Sequence, residues 1–363
     1  MSGPQQLRDA GQSIWLDNIR KGLLKSGELA RYIRELFVTG LTSNPAILEK
    51  AISGSAEYDD AIREHLAAGV TSAEDLVFAL ALEDLVAAAD LFRPVFDATG
   101  GVDGYVSVEV SPDLAHDAPG TVEAGKALFA EADRPNVLIK VPGTPEGLVA
   151  IEELIAEGIP VNVTLLFSTA HYLAAAEAFL RGIERRERDG RPPAVGSVAS
   201  VFVSRWDTNA DPRLPQDLHG HLALATVQKT YAAYESLLAS ARWQTLAAGG
   251  AIPQRLLFAS TSTKDPSLPD TYYLGRLAAP GTIDTVPEPT LLAFADHGVV
   301  CDLLPPDPVT ADEVLAKVEA AGVDVDALAA DLQADGATAF SQAWATLLGC
   351  IGDKIALLEA ARA

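Results

Sequence analysis

Apolar positions along the chain switch between two periods. Short runs rich in Val, Ile, Leu and Phe, closed by Pro, Gly, Asn or Ser, alternate with longer stretches whose apolar residues recur every three or four positions. The first pattern predicts buried strands and the second amphipathic helices. Strands are predicted over residues 13–16, 37–41, 105–110, 137–141, 161–166, 197–203, 256–260 and 282–286. Between them, helices are predicted over 28–36 with Ser26 as cap, over 46–52 with Pro45 at the first position, and over 72–98 with a bend at Pro94. Further helices follow at 121–132, from Thr144 to about Gly158, at 169–188 behind Ser168, at 218–247 and near 291–297. Residues 207–216 read as a proline-bearing loop and 310–363 as wholly helical.

Eight strands, each with helical sequence between it and the next, favour an α/β fold of the (β/α)8 TIM-barrel type with additional helices. A doubly wound nucleotide-binding sheet is disfavoured, because no GxGxxG or GxxxxGK[ST] pattern follows a strand. No linker separates a second domain. The expectation is a single barrel domain over 1–363 with a helical C-terminal extension from about 310.

Within this pattern one polar residue is out of place. The chain has nine lysines, and Lys140 alone lies inside an apolar extended run, Val137-Leu138-Ile139-Lys140-Val141. A buried ammonium is unfavourable unless it is paired or gives up its proton. The ordinary alternative is a strand-end lysine whose head reaches water. The neighbouring strand bears on the choice. Asn162 and Thr164 are two apart and share one face, while Val161, Val163 and Leu165 share the other. Amide, hydroxyl and amine would then point into one polar interior.

Barrel enzymes carry their working residues at the carboxyl ends of the strands. Those ends hold Asp17, Asn44, Glu109, Lys140, Asn162 with Thr164, Ser200 with Arg205, and Ser262 with Lys264. Each has a plain structural reading: Asn44 as a turn or cap before Pro45, Glu109 as a rim carboxylate, Arg205 as the partner of Asp207 or Asp211. Together they are what Schiff-base chemistry requires. The amine must lose a proton it ordinarily holds up to a pKa of ~10.4, and a dry interior favours that loss. Glu109 could then move protons through carbinolamine and imine, and Asp17 could take the hydroxyl proton released when a carbon–carbon bond breaks. Asn44 and Asn162 would bind substrate hydroxyls, and Arg205 and Lys264 a phosphate.

Composition narrows the partners. The apolar fraction of 48% supplies a large core, and the formal charge of −23 speaks against nucleic acid or an anionic membrane. A local cationic pocket for an anionic substrate stays compatible with it. Cys301 and Cys350 have neither metal-ligand spacing nor a disulfide framework, and the start MSGPQQLRDAGQSIW lacks a signal pattern. A cytoplasmic protein without metal or cofactor is expected, as a monomer or homodimer.

The segments WLDNI, GLTSNPAI, VSVEV, LIKVPGTPEG and VNVTLLFS closely resemble the strand motifs of transaldolase, in the same order. The resemblance runs from about Ile14 to Lys264, and the length and helical C-terminus fit the longer bacterial form. It implies transfer of a dihydroxyacetone unit from sedoheptulose 7-phosphate to glyceraldehyde 3-phosphate, giving erythrose 4-phosphate and fructose 6-phosphate in the non-oxidative pentose phosphate pathway. It also implies that Lys140 forms the imine, that Glu109 works with a water held by Thr164, and that Asp17 is the acid/base at the cleaved bond. Asn44, Asn162 and Ser200 would position the dihydroxyacetone part and Arg205 the phosphate. One departure stands out. Many transaldolases have an arginine after the seventh strand, where Ser262 falls by count, so the phosphate role passes to Lys264. Two alternatives remain open: a fructose-6-phosphate aldolase on the same scaffold, or a non-catalytic sugar-phosphate-binding barrel.

Overall fold

Valine, isoleucine and leucine dominate the strand runs because these strands are covered on both faces. The structure, a computed structural model, describes residues 1–53 and 55–360. Eight parallel strands close into a barrel in chain order: β1 (Ser13–Asp17), β2 (Val38–Thr42), β3 (Val106–Glu109), β4 (Val137–Pro142), β5 (Val161–Leu166), β6 (Ser197–Phe202), β7 (Gln254–Ala259) and β8 (Ile283–Val286). β8 returns to pair with β1. Every residue of β4, β5, β6 and β7 is buried, as expected where helices cover the outside and side chains fill the inside. Among the described residues no helix is long and apolar enough to cross a membrane.

Register decides which polar residues meet. Glu109 lies beside Lys140 across β3 and β4, Lys140 beside Asn162 across β4 and β5, and Pro142 beside Thr164. Side chains two apart share a face, so these groups converge on the interior at the carboxyl end of the barrel.

Below them the interior is plugged. Trp15, two residues before Asp17, is fully buried, and its Nε1–H donates to Asp103 Oδ1 at 2.8 Å. Arg255 pairs with the same carboxylate at 3.3 Å. The facing residue on β2 is Gly40, where a Cβ would stand 2.5 Å from the Trp15 indole. Gly40 is therefore a packing requirement of the layer that closes the barrel beneath the polar groups.

Local capping chemistry sets most helix ends. The Thr144 hydroxyl accepts from the Gly147 N–H at 3.0 Å to start Pro145–Glu157, which stops at Gly158. Ser168 accepts from the His171 N–H at 3.1 Å to start Thr169–Arg188. Ser72 does the same for Ala73–Ala98, inside which Pro94 lies.

Several expectations are corrected. Helix Glu28–Glu35 takes Gly27, not Ser26, at its N-cap; the Ser26 hydroxyl instead accepts from Glu28 N–H just inside the helix. The loop expected at 207–216 is the helix Arg205–Ala210 followed by the 3-10 turn Asp211–Arg213, because Pro212 falls in a first turn where its missing N–H is harmless. The helix expected over 218–247 is two, Leu222–Ala239 and Ala241–Ala248. Ser240 is extended between them and its hydroxyl caps the second through Trp243 N–H. The C-terminal region also divides, into Val309–Ala320 and Val325–Ala360, with Asp324 capping the latter through Ala327 N–H; residues 361–363 of that expectation lie outside the described residues. Leu165 does not continue the outer face of β5. Its φ is 59° and the register with β6 shifts between Val163 and Leu166, so the alternation ends in a bulge. Helices Gly3–Asp9, Lys21–Lys25 and Asp59–Ala67 had no sufficient pattern of their own.

The C-terminal helix Val325–Ala360 lies across helices Pro45–Ser53 and Ala73–Ala98 and over the end of β5. Gln333 Nε2 donates to the carbonyls of Gly143 (3.1 Å) and Leu165 (2.9 Å). Lys354 Nζ ties the far end to Ser55 O and Asp59, each at 2.6 Å.

Gly40→Ala forces a methyl into the Trp15 indole and should destabilise the fold by about 1–3 kcal/mol. Urea unfolding would read this as a lower midpoint with an unchanged slope; an unchanged midpoint refutes the packing account.

Candidate active site

At the carboxyl end of the barrel is a cavity of about 360 Å3. β1 contributes Asp17, β2 Thr42 and the following Asn44, β4 Lys140, β5 Asn162 and Thr164, and β6 Ser200 with Arg205 just beyond it. From the β7 side come Ser260, Ser262 and Lys264, and from β8 Thr285. Of the residues expected at the site, all but Glu109 line this cavity. Glu109 is set back from it, on the far side of Lys140.

Lys140 is only 6% exposed. Its Nζ donates to the carbonyl of Ser43 at 2.7 Å and lies 3.7 Å from Glu109 Oε2. Burial raises the Glu109 carboxyl to a pKa of about 7, with the nearby amine opposing the rise and Asp17 adding to it. Near neutrality this group is thus present in both protonation states, which suits a proton carrier. Asp17 is also raised by burial, against the pull of Lys140 and of a hydrogen bond from Thr42. That hydroxyl is 2.8 Å from Asp17 Oδ1 and 2.6 Å from the Thr285 hydroxyl. Since Thr42 gives its hydrogen to the carboxylate, Thr285 donates to Thr42, and the chain of hydroxyls holds Asp17 in one orientation.

β5 supplies an amide fixed from both sides. Asn162 Nδ2 donates to Ser107 Oγ at 3.1 Å, and Ser200 Oγ donates to Asn162 Oδ1 at 2.7 Å. Two buried oxygens close by, Glu109 Oε2 and Thr164 Oγ1, have no hydrogen-bond partner among the described residues. Both residues border a side chamber of about 20 Å3, shared with Pro142, Ala337 and Phe340. That is room for one water with a carboxyl and a hydroxyl to bind it.

Asn44 fulfils its structural reading, since its Oδ1 accepts from the Ile47 N–H at 3.1 Å at the start of Pro45–Ser53. Its amide NH2 makes no hydrogen bond among the described residues and the residue borders the cavity. Arg205 departs from its structural reading. Neither Asp207 nor Asp211 pairs with it; Asp207 accepts from Tyr273 Oη (2.7 Å) and Ala223 N–H (2.9 Å), and Asp211 accepts from Gly220 N–H. The guanidinium, 5.3 Å from the Phe202 ring, has no ion pair among the described residues, and burial lowers its pKa. Lys264 is exposed and donates to Ser262 Oγ at 2.7 Å. The cavity therefore brings the Lys140 amine, the Asp17 carboxyl and several neutral donors together with two cations, Arg205 and Lys264.

Several lining groups escaped the sequence reading. Thr42 sits across from Asp17 and two residues before Asn44, so strand alternation was the available signal there, while Thr285 lies on β8, where no site residue was expected, and reaches the cavity beside Thr42. Ser260, at φ 59°, is placed by a backbone turn at the end of β7 and hydrogen-bonds Ser204 at 3.0 Å. Phe340 comes from a helix remote in sequence and carried no local signal.

The profile of the family described as Transaldolase/Fructose-6-phosphate aldolase matches residues 14–351. A protein of Frankia alni named Transaldolase is 46% identical over 365 residues, covering 98% of either chain. One of Thermobifida fusca with the same name is 46% identical over 361 residues, covering 97% of this chain and 98% of its own. A more distant relative in Nostoc punctiforme, named Transaldolase 2, is 40% identical over 376 residues and covers 98% of both. The chain belongs to the transaldolase/fructose-6-phosphate aldolase family.

Proposed function

We propose that this protein is a transaldolase that moves a dihydroxyacetone unit from sedoheptulose 7-phosphate to glyceraldehyde 3-phosphate through an imine on Lys140. The observation that carries the chemistry is the buried amine 3.7 Å from a carboxyl whose pKa is raised to about 7, with a second carboxyl in the same cavity. Relatives covering nearly the whole chain are named Transaldolase, which supports the same reading.

In this mechanism the Lys140 amine adds to the ketose carbonyl. Glu109, through a water between it and Thr164, protonates the carbinolamine hydroxyl, which leaves as water. Asp17 takes the proton of the hydroxyl next to the bond that breaks, and the aldose departs. The electron pair of the broken bond stays on the three-carbon unit as an enamine. Addition to the incoming aldehyde, with Asp17 returning the proton, and hydrolysis of the imine complete the cycle. Asn162, immobilised by Ser107 and Ser200, and the free amide of Asn44 bind the hydroxyls of the three-carbon unit. Arg205, in no ion pair among the described residues, and Lys264 receive the phosphate. The proposal takes the chain as one domain, monomeric or homodimeric, working in the cytoplasm.

Borohydride reduction in the presence of fructose 6-phosphate should leave an adduct on the peptide containing Lys140; no adduct, or one elsewhere, overturns the imine. Supplying erythrose 4-phosphate should divert fructose 6-phosphate to sedoheptulose 7-phosphate, whereas equal release of free dihydroxyacetone with and without it marks an aldolase. Glu109→Gln should slow transfer by about 10²–10⁴-fold. Because the protonated acid serves dehydration, imine formation in the wild type should fall as pH rises through about 7, and that limb should vanish in the variant. Lys264→Ala should raise KM for phosphorylated sugars by about tenfold or more while leaving imine formation with dihydroxyacetone nearly unchanged. Equal effects on both substrates would remove Lys264 from the phosphate site.

A further inference from the structure

The C-terminal helix Val325–Ala360 reaches the reacting groups from outside the barrel. Phe340 borders both the main cavity with Lys140 and the side chamber with Glu109 and Thr164, and its ring centroid is 5.9 Å from Lys140 Nζ. It is the side chain common to both spaces that comes from neither a strand nor a strand-end loop. Two turns earlier on the same face, Gln333 bonds the carbonyls of Gly143 and Leu165, at the ends of the strands that carry Lys140 and Thr164. Between them, Gly336 lets the helix approach β5 closely, since a Cβ there would be 2.8 Å from Leu165 Cδ2. Leu165 is the residue at positive φ in the β5 bulge, so the carbonyl that this irregular backbone frees is the one Gln333 takes up.

We infer that Phe340 is a specificity-determining residue: its ring covers the junction where the substrate cavity meets the single-water chamber at Thr164, leaving access to that one water while shielding the bound three-carbon unit from further water, so that it leaves to an aldehyde and not to water. Gln333 acts as a positioning residue that pins the helix to the two strand ends. This inference rests on the transfer reaction proposed above. The competing path is defined. The enamine carbon takes back the proton removed from the donor hydroxyl, giving an iminium. Water adds across C=N, and collapse of the carbinolamine breaks the C–N bond, restoring the Lys140 amine and releasing dihydroxyacetone. An aromatic face over the nitrogen also favours its cationic form while keeping bulk water away. Removing the ring widens this junction to further water and speeds this path relative to transfer.

The test is a partition ratio in the full-length enzyme: free dihydroxyacetone released per sedoheptulose 7-phosphate formed, from fructose 6-phosphate at saturating erythrose 4-phosphate. The ratio does not depend on how much of a variant is folded. Phe340→Ala should raise it by about tenfold or more, and Phe340→Leu, which keeps an apolar side chain and the helix, by a smaller factor. Gln333→Ala should move the ratio in the same direction, with borohydride trapping on Lys140 retained. A ratio unchanged in both Phe340 variants, while the wild type transfers normally, reduces the ring to packing and overturns the inference. A wild type that transfers nothing overturns the underlying reaction instead.

Discussion

The site depends on holding a basic amine and a carboxyl side by side where water is scarce. Lys140 and Glu109 are neighbours by strand register, and their side chains are only 8% and 11% exposed, so neither readily relieves its charge by turning to solvent. Desolvation dominates at Glu109 and lifts it to about 7 even with the amine 3.7 Å away. A carboxyl in ordinary solvation would be fully ionised there and would simply pair with an ammonium. The same burial acts on Asp17 and makes the barrel interior chemically different from the surface. Everything that keeps the interior dry therefore has a bearing on the chemistry: the Trp15–Asp103–Arg255 layer below, the covering helices, and Val325–Ala360 at the mouth.

Rigidity follows from how the remaining polar groups are satisfied. Asn162 is held by hydroxyls on β3 and β6, Asp17 by a chain of two threonines, and the Lys140 head by the Ser43 carbonyl. Groups fixed in this way need little reorganisation when charge develops during reaction. Of the buried oxygens without a partner among the described residues, Glu109 Oε2 and Thr164 Oγ1 are the two that the proposed mechanism joins through a water.

What could be read from residues was what local chemistry decides. All eight strands lie where the apolar runs are, and Thr144 and Ser168 cap the helices they precede, since a hydroxyl three residues before a free N–H is a local event. Lys140 was conspicuous because it interrupts an apolar run. Ser240 was not, because a serine inside an Ala-rich helical pattern reads as an ordinary exposed position until tertiary packing turns the chain there. The Leu165 bulge has no local signature, for leucine is seldom found at positive φ and only the surroundings hold it so. Phe340 lies far along the chain from Lys140, and nothing in a helical stripe of apolar residues tells which of them meets a catalytic amine.

The β7 end shows how a cation reaches the cavity rim although no arginine directly follows the strand. Ser260 at positive φ turns the backbone away from the strand, so the segment that follows carries Ser262 and Lys264 along the cavity rim. Ser262 accepts from the Lys264 ammonium and so aims it, which restores a cation at the edge where Ser262 itself brings none. An ammonium is a point charge and gives no two-pronged grip. Arg205 can give that grip, because Asp207 is engaged by Tyr273 and Ala223 and leaves the guanidinium free among the described residues. In the proposed reaction one fork and one point charge would seat the phosphate, provided the fork is not already spent on a carboxylate. The buried Asp207–Tyr273 pair is what meets that condition.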